Sequence, residues 1–423
     1  MKDIAVSFGN LVDEKMAKDP EAARRLMLAG FKAFAFKLDV LPDRRLPRSR
    51  RYLARVLNHT VTDLLTHPSD TALVSLFTPC ELMQCMGIRS LCAEFYSAFV
   101  CAAHAERAFV EAAEAEGIAD TFCSYHKILL GSIYSGVFEK PDFIVSTSLA
   151  CDANNLTFRA AADRLGIDRY YIDVPPTADA ESVAYVAASL RELTHFLEDH
   201  THRKLDIGKL SETVARSGNT LQTLYRGAKL RGERTLAGDL ASQLYEIYFT
   251  HVGLGLPEAE KYAGMLLKDL KKAPGPKGVR ILWIHTIPNW QLPIREMFNF
   301  SDRASIVWCD MNFDSPADMD PGMPYESMAR RLVENHFNGS GVRRIEKCVK
   351  MSRLLNVDGV VIFCHWGCKQ TAGISAQMKE ALEAEGFPAL ILNGDGCDED
   401  NSSDGQVSTR LDAFIEMLEE RGH

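Results

Sequence analysis

The sequence predicts an α/β protein with two doubly wound parallel-sheet domains of the flavodoxin or Rossmann kind, an N-terminal helical segment and a helical insertion. Three observations carry that prediction. Apolar strand-like runs alternate with helical patterns in two separate parts of the chain. The stretch between them, 182–272, shows helical periodicity alone. The Pro/Gly-rich breaker "KKAPGPKG" (271–278) then separates that stretch from the second alternation. At 423 residues the chain is also too long for one ordinary core. The predicted boundaries are 1–66 for the N-terminal helical segment and 67–181 for the first α/β domain. Residues 182–278 form the insertion and linker, and 279–423 the second α/β domain with its closing helix.

Residues 12–66 read as helix, with "PEAARRLMLAGFKAFAF" placing apolar side chains three and four apart. "TALVSLF" (71–77) is the first strand, followed by Thr78-Pro79 and a helix opening at Cys80-Glu81-Leu82. Helix is expected to continue through 91–117. "DFIVSTSLACD" (142–152) is a strand running into Cys-Asp, "NLTFRAAADRLG" a helix, and "RYYIDVPP" (169–176) a strand. After the breaker come strands at "VRILWIHT" (279–286), "ASIVWCD" (304–310), "DGVVIFCHWGC" and "PALILNGDG" (388–396). Helices are expected at 343–356, over "SAQMKEALEAEG", and at the C-terminal "VSTRLDAFIEMLEERG".

Apolar residues make up 46% and charged residues 25%, the balance of a soluble globular protein. A net charge of −9 argues against a protein that tracks phosphates. The one basic run, "RRLPRSRR" (44–51), reads as solvated surface. "MKDIAVSFGNLVDEKM" lacks the apolar core of a secretory signal, and no run of about 18 apolar residues suggests a membrane span. A cytoplasmic location is expected, with no nucleic-acid or membrane partner.

Eleven cysteines in such a protein need a use other than disulfides, because that compartment keeps thiols reduced. Cys85, Cys92, Cys101 and Cys348 lie in helical patterns and read as small core hydrophobes. Cys80, Cys151, Cys309, Cys364, Cys368 and Cys397 fall at predicted strand ends, where ligands bind in open α/β sheets. Only Cys364 and Cys368 are close in sequence, with His365 between, so the short paired spacings of zinc or ferredoxin sites are absent. Ligands delivered from separate strands need no such spacing. From spacing alone, a metal or cluster site, a Cys–His nucleophile and structural thiols all stay open.

Five segments, in order, resemble the 2-hydroxyacyl-CoA dehydratase / benzoyl-CoA reductase family. They are "TPCELMQCMG" (78–87), "FCSYHKILLG" (122–131), "STSLACDANN" (146–155), "HWGCKQTAG" (365–373) and "GQVSTRLDAFIEML" (405–418), and the resemblance spans roughly 70–420. It implies a [4Fe-4S] cluster held by Cys123, Cys151 and Cys368, with one iron left open. Gly367 would let the backbone approach the cluster, and Trp366 and His365 would surround it. His365 and Glu81 are the implied groups at the reaction centre. First-turn capping is the ordinary role of a residue such as Glu81, and His285 is a comparable strand-end candidate. Cys80 and Cys364 depart from the family pattern. They read as buried free thiols, because strand alternation turns Cys364 away from the face that Cys368 takes.

The implied function is loss of water from a 2-hydroxyacyl-CoA through a ketyl radical. A separate ATP-hydrolysing iron–sulfur activator would supply the priming electron, and a homologous second subunit or a homodimer would complete the enzyme. No phosphate-cradling G-x-x-x-x-G-K-[ST] occurs, so ATP is expected to bind elsewhere than on this chain. The Asp-rich "GDGCDEDNSSDG" (394–405) lacks EF-hand spacing and reads as a solvated loop. Rival readings are a benzoyl-CoA-reductase-type subunit, a non-catalytic electron-relay partner, and a zinc or thiol hydrolase.

Overall fold

The computed structural model describes residues 4–314 and 318–421. Residues 1–3 of the predicted N-terminal segment, and 315–317 and 422–423 of the predicted second domain, lie outside the described residues. The expected α/β architecture is present, as two four-stranded sheets whose described pairings are all parallel. Three helices open the chain: α1 (Ile4–Met16), α2 (Pro20–Val40) and α3 (Arg48–Thr66). Asp19 starts α2 by accepting the Ala22 N–H at 3.0 Å, with Pro20 in the first turn.

The first sheet is built from β1 (Thr71–Val74), α4 (Glu81–Cys85), β2 (Arg89–Cys92), α5 (Ala93–Ala102), α6 (Arg107–Ala115), α7 (Ser124–Tyr134), β3 (Phe143–Thr147), α8 (Asp152–Leu165) and β4 (Arg169–Ile172). Its order is β2-β1-β3-β4. Here the structure corrects the expectation of continuous helix from 91. Arg89–Cys92 is a strand pairing with Thr71–Val74, so Cys92 ends a strand. Four residues are too few to show strand alternation, and only pairing with β1 makes them extended.

The insertion is helical as predicted: α9 (Ala180–Thr201), α10 (Ile207–Glu233), α11 (Leu240–Thr250) and α12 (Pro257–Lys272). Asp179, Asp206 and Asp239 cap the first three through side-chain bonds to first-turn N–H groups.

The second sheet follows with β5 (Val279–Ile284), α13 (Leu292–Phe298), β6 (Ala304–Cys309), α14 (Pro324–Val333), α15 (Gly341–Leu354), β7 (Gly359–His365), α16 (Lys369–Ala372), α17 (Ser375–Ala384), β8 (Ala389–Gly394) and α18 (Asp404–Arg421). Its order, β6-β5-β7-β8, repeats the plan of the first. In each sheet the first and third strands lie side by side while the chain winds away to both edges. That creates a switch point between β1 and β3, and another between β5 and β7.

One buried apolar cluster runs from Val12 through both sheets to Leu418, and a smaller one lies behind β5 and β7 around Leu282, Ile362 and Met378. Buried charges tie the parts together. Glu246 of α11 accepts from Arg231 of α10 at 2.5 Å, Tyr262 of α12 at 2.6 Å and Trp308 of β6 at 2.7 Å. Arg50, from the basic run expected to be solvated, is buried and donates to the Ala237 carbonyl at 3.0 Å.

Glu106, just before α6, is buried, and its Oε2 has no hydrogen-bond partner among the described residues. Burial first, then the nearby Glu399 carboxylate, lifts its carboxyl from 4.5 to about 9. The folded state therefore holds a proton that the unfolded chain releases near pH 4.5. This contribution is complete below that pH and is lost as pH rises toward about 9. Glu106→Gln should flatten the fall in stability across that window, by up to about 1.4 kcal/mol per pH unit. Thermal midpoints measured across pH 5–9 check it; parallel profiles for both proteins would refute the assignment.

Candidate active site at the facing sheet ends

A cavity of about 130 Å³ lies where the carboxyl ends of the two sheets meet. Its walls come from both switch points: Leu76 and Phe77 after β1, Ala150 and Cys151 after β3, His285 and Thr286 after β5, and His365 and Cys368 at the end of β7. Helix α11 adds Leu244 and Ile247, and Cys123, Tyr125 and His126 enter at the start of α7. The Tyr125 and Thr286 hydroxyls are hydrogen-bonded to each other across the two units.

Of the eleven cysteines, Cys123, Cys151 and Cys368 line this cavity. Each sits at the N-cap of a helix, α7, α8 and α16 respectively, and none uses its sulfur for capping. The positive ends of the longer helices α7 and α8 therefore face the sulfurs. Burial pushes the Cys123 thiol well up, and the Cys151 and Cys368 sulfurs push it further. Three such thiolates are incompatible with one another unless something positive shares the space.

Two imidazoles touch the sulfurs. His365 Nε2 is 3.3 Å from Cys123 Sγ, and His126 Nε2 is 3.4 Å from Cys151 Sγ. Gly396 N–H donates to His365 Nδ1 at 3.1 Å, so the neutral ring carries its proton on Nε2 and donates it to Cys123. Burial lowers the basicity of both rings, that of His126 to about 4. Thr371 Oγ1 lies 3.7 Å from Cys368 Sγ and also receives Arg344 Nη1 at 2.8 Å.

His285 adopts a left-handed backbone, φ 80°, unusual for a residue with a side chain. Its N–H donates to Asp310 Oδ1 at 2.6 Å and its carbonyl accepts from Cys309 Sγ at 3.1 Å. With the backbone so fixed, the ring enters the cavity, where neither buried nitrogen has a hydrogen-bond partner among the described residues.

The other expected site residues fall as follows. Gly367 packs on Cys123, where any Cβ would overlap the Cys123 backbone. Trp366 points outward, 60% exposed, and does not line the cavity. Glu81 does not line it either. It is buried in an ion pair with Arg331 of α14 at 2.5 Å and accepts from Ser217 of α10 at 2.9 Å. Cys80 and Cys364 also stay outside. Val361, Phe363 and His365 share one face of β7 and Cys364 the other, as strand alternation requires. Asp395 corrects the expectation of a solvated 394–405 loop: it is buried and accepts from Ser124 Oγ and the Cys397 and Asp398 N–H groups.

Sequence reading missed Glu94, the one carboxylate among the described residues lining the cavity. It follows β2, and Cys92 Sγ–H donates to its Oε2 at 3.3 Å. Burial raises its carboxyl above the ordinary range. The helix expected over 91–117 concealed it. Among the described residues no group of three or more His, Cys, Asp or Glu is placed to hold a single metal ion.

The profile of the 2-hydroxyglutaryl-CoA dehydratase, D-component, family matches residues 75–418. The chain is 24% identical over 371 residues to an (R)-phenyllactyl-CoA dehydratase alpha subunit from Clostridium sporogenes, covering 80% of this chain and 87% of that one. It is 23% identical over 384 residues to a lactoyl-CoA dehydratase subunit alpha from Anaerotignum propionicum, covering 81% and 89%. It is also 23% identical over 310 residues to an (R)-2-hydroxyglutaryl-CoA dehydratase subunit alpha from Acidaminococcus fermentans, covering 66% and 61%.

The contact between Gly367 and Cys123 gives a direct test of how tightly these loops are held. Gly367→Ala should separate the Cys368 loop from Cys123 at a cost of about 1–3 kcal/mol, as overpacking does. A lowered unfolding midpoint with unchanged far-ultraviolet circular dichroism is expected; wild-type stability would mean the loops yield freely.

Proposed function

This chain belongs to the 2-hydroxyglutaryl-CoA dehydratase D-component family, and from that premise we propose that it is the iron–sulfur subunit of a heteromeric 2-hydroxyacyl-CoA dehydratase. The observation that carries the reading is the gathering of Cys123, Cys151 and Cys368 from three separate helix starts onto one cavity. Three thiols without a fourth suit a [4Fe-4S] cluster with one open iron. Their failure to converge on a single-ion site fits as well, because a cubane takes each thiolate on a different iron. When bound, such a cluster supplies an electron at low potential and a Lewis-acidic iron.

The remaining roles belong to the chain's own side chains. His365 Nε2–H, fixed by Gly396, donates to Cys123 Sγ and spreads its negative charge. Glu94, with its proton affinity raised by burial, holds a proton beside the cavity for the departing hydroxyl. His285, with both ring nitrogens unengaged, is placed to donate to a thioester carbonyl. The apolar wall of Leu76, Phe77, Phe95 and Ile247 excludes water and oxygen. The finer reading is a radical dehydration primed by a separate ATP-hydrolysing activator protein, in the cytoplasm, with a homologous second subunit. Trp366, exposed beside Cys368, is assigned no contact with the cluster.

Anaerobic purification with iron and sulfide analysis tests the proposal. About four irons per chain are expected, lost in Cys123→Ala, Cys151→Ala or Cys368→Ala and retained in Cys80→Ala and Cys364→Ala. Full iron in any of the first three would remove the ligand assignment.

Glu94→Gln should keep the iron yet lower kcat by about 100-fold or more with KM little changed, as loss of a positioned acid does. Undiminished turnover would move the proton transfer to another group.

A further inference from the structure

We infer that the acyl chain accepted at this site is uncharged, apolar and bulky, aromatic or branched aliphatic, and that a chain ending in a second carboxylate is rejected. The inference rests on the dehydratase reading above and narrows its substrate class.

Apart from the thiols and imidazoles, the walls are dominated by Leu76, Phe77, Phe95, Leu244, Ile247 and Phe337. Among the described residues no Lys or Arg lines the cavity. The buried guanidiniums nearby are already committed: Arg344 to Asp310 at 2.7 Å and Arg331 to Glu81 at 2.5 Å. Two of the three imidazoles are turned onto sulfurs, His365 onto Cys123 and His126 onto Cys151. The third, His285, is held neutral by burial, with its pKa lowered to about 3. A second carboxylate entering here would lose its hydration and meet no cation. It would instead meet Glu94 and the thiol sulfurs, all of the wrong sign once ionised. Glu94 is itself evidence of the environment, since burial already disfavours the charge on its carboxyl.

Size follows from the same walls. Their leucine, isoleucine and phenylalanine side chains come from β1, α5, α11 and the segment after α14, so they close on the site from both sheets and the insertion. A chain of one methyl leaves this surface uncovered, and each methylene missing from such a pocket weakens discrimination by roughly tenfold or more.

The test uses the assembled anaerobic enzyme and three CoA thioesters that lack the 2-hydroxyl and so bind without turnover. They are phenylpropionyl-CoA, propionyl-CoA and glutaryl-CoA, with affinities read by calorimetry. Phenylpropionyl-CoA should bind at least about 100-fold more tightly than glutaryl-CoA and about tenfold more tightly than propionyl-CoA. Ile247→Lys, which places a cation in the wall, should reverse much of the preference against glutaryl-CoA. Equal binding of phenylpropionyl-CoA and glutaryl-CoA would overturn the charge argument and leave the dehydratase reading intact. Equal binding of phenylpropionyl-CoA and propionyl-CoA would overturn the size argument. Failure of all three thioesters to bind would overturn the dehydratase reading together with this inference.

Discussion

The arrangement depends on one constraint: three sulfurs, each at the start of a different helix, must face the same small space. A helix following a parallel strand starts at the strand's carboxyl end, so sulfurs at such starts meet only if two sheets turn those ends toward each other. The repeated strand order allows this, because it puts a switch point in the middle of each sheet. The strained backbones of Ala150 and His285, both left-handed, lie at this meeting place, where chain direction is dictated by what must enter the cavity. The close approach of Gly367 to Cys123 belongs to the same constraint, since a side chain at 367 would hold the two loops apart.

Holding two sheets in that relation falls to buried charge as well as to apolar packing. Glu81 joins the turn after β1 to α10 and α14, and Glu246 joins three insertion helices to β6. Arg344, fully buried, joins Asp310 at the end of β6 to Gln370 and Thr371 beside Cys368. Each bond of this kind has a strict geometry, and a buried charge left without its partner costs about 3–5 kcal/mol. Apolar packing allows small slides between units; these networks do not. The insertion thus acts as the frame that fixes the two sheets, and through Leu244 and Ile247 it also forms part of the cavity wall.

The cavity offers a reactant few charges. Its imidazoles are neutral donors, its one carboxyl resists ionisation, and the fields of α7 and α8 point their positive ends at the sulfurs. In such surroundings a bound anionic cluster and a transient charge on a thioester oxygen interact strongly with each other and with few competitors. This is the electrostatic setting that a dehydration driven by single-electron chemistry requires. It also explains why Glu94 rather than Glu81 is the acid beside the cavity. Glu81 is tied to the Arg331 guanidinium, whereas Glu94 has only a thiol as donor.

What the sequence by itself determined was local. Runs such as "VVIF" and "FIVST" announce buried parallel strands because their apolar content needs no knowledge of the rest of the chain, and β7 and β3 follow. The helical insertion was legible for the same reason, and alternation along β7 placed Cys364 and His365 on opposite faces. The family resemblance singled out Cys123, Cys151 and Cys368 from eleven cysteines before any contact was known. Only the tertiary structure decided which side chains meet. β2 becomes a strand through its pairing with β1, and that pairing turns Glu94 from a helix residue into the carboxylate of the cavity. Glu81 is drawn into the interior by Arg331, 250 residues away. Trp366 faces outward because Gly367, its neighbour, is pressed against Cys123. Periodicity is written residue by residue, whereas a contact between distant segments exists only once the sheets have been brought face to face.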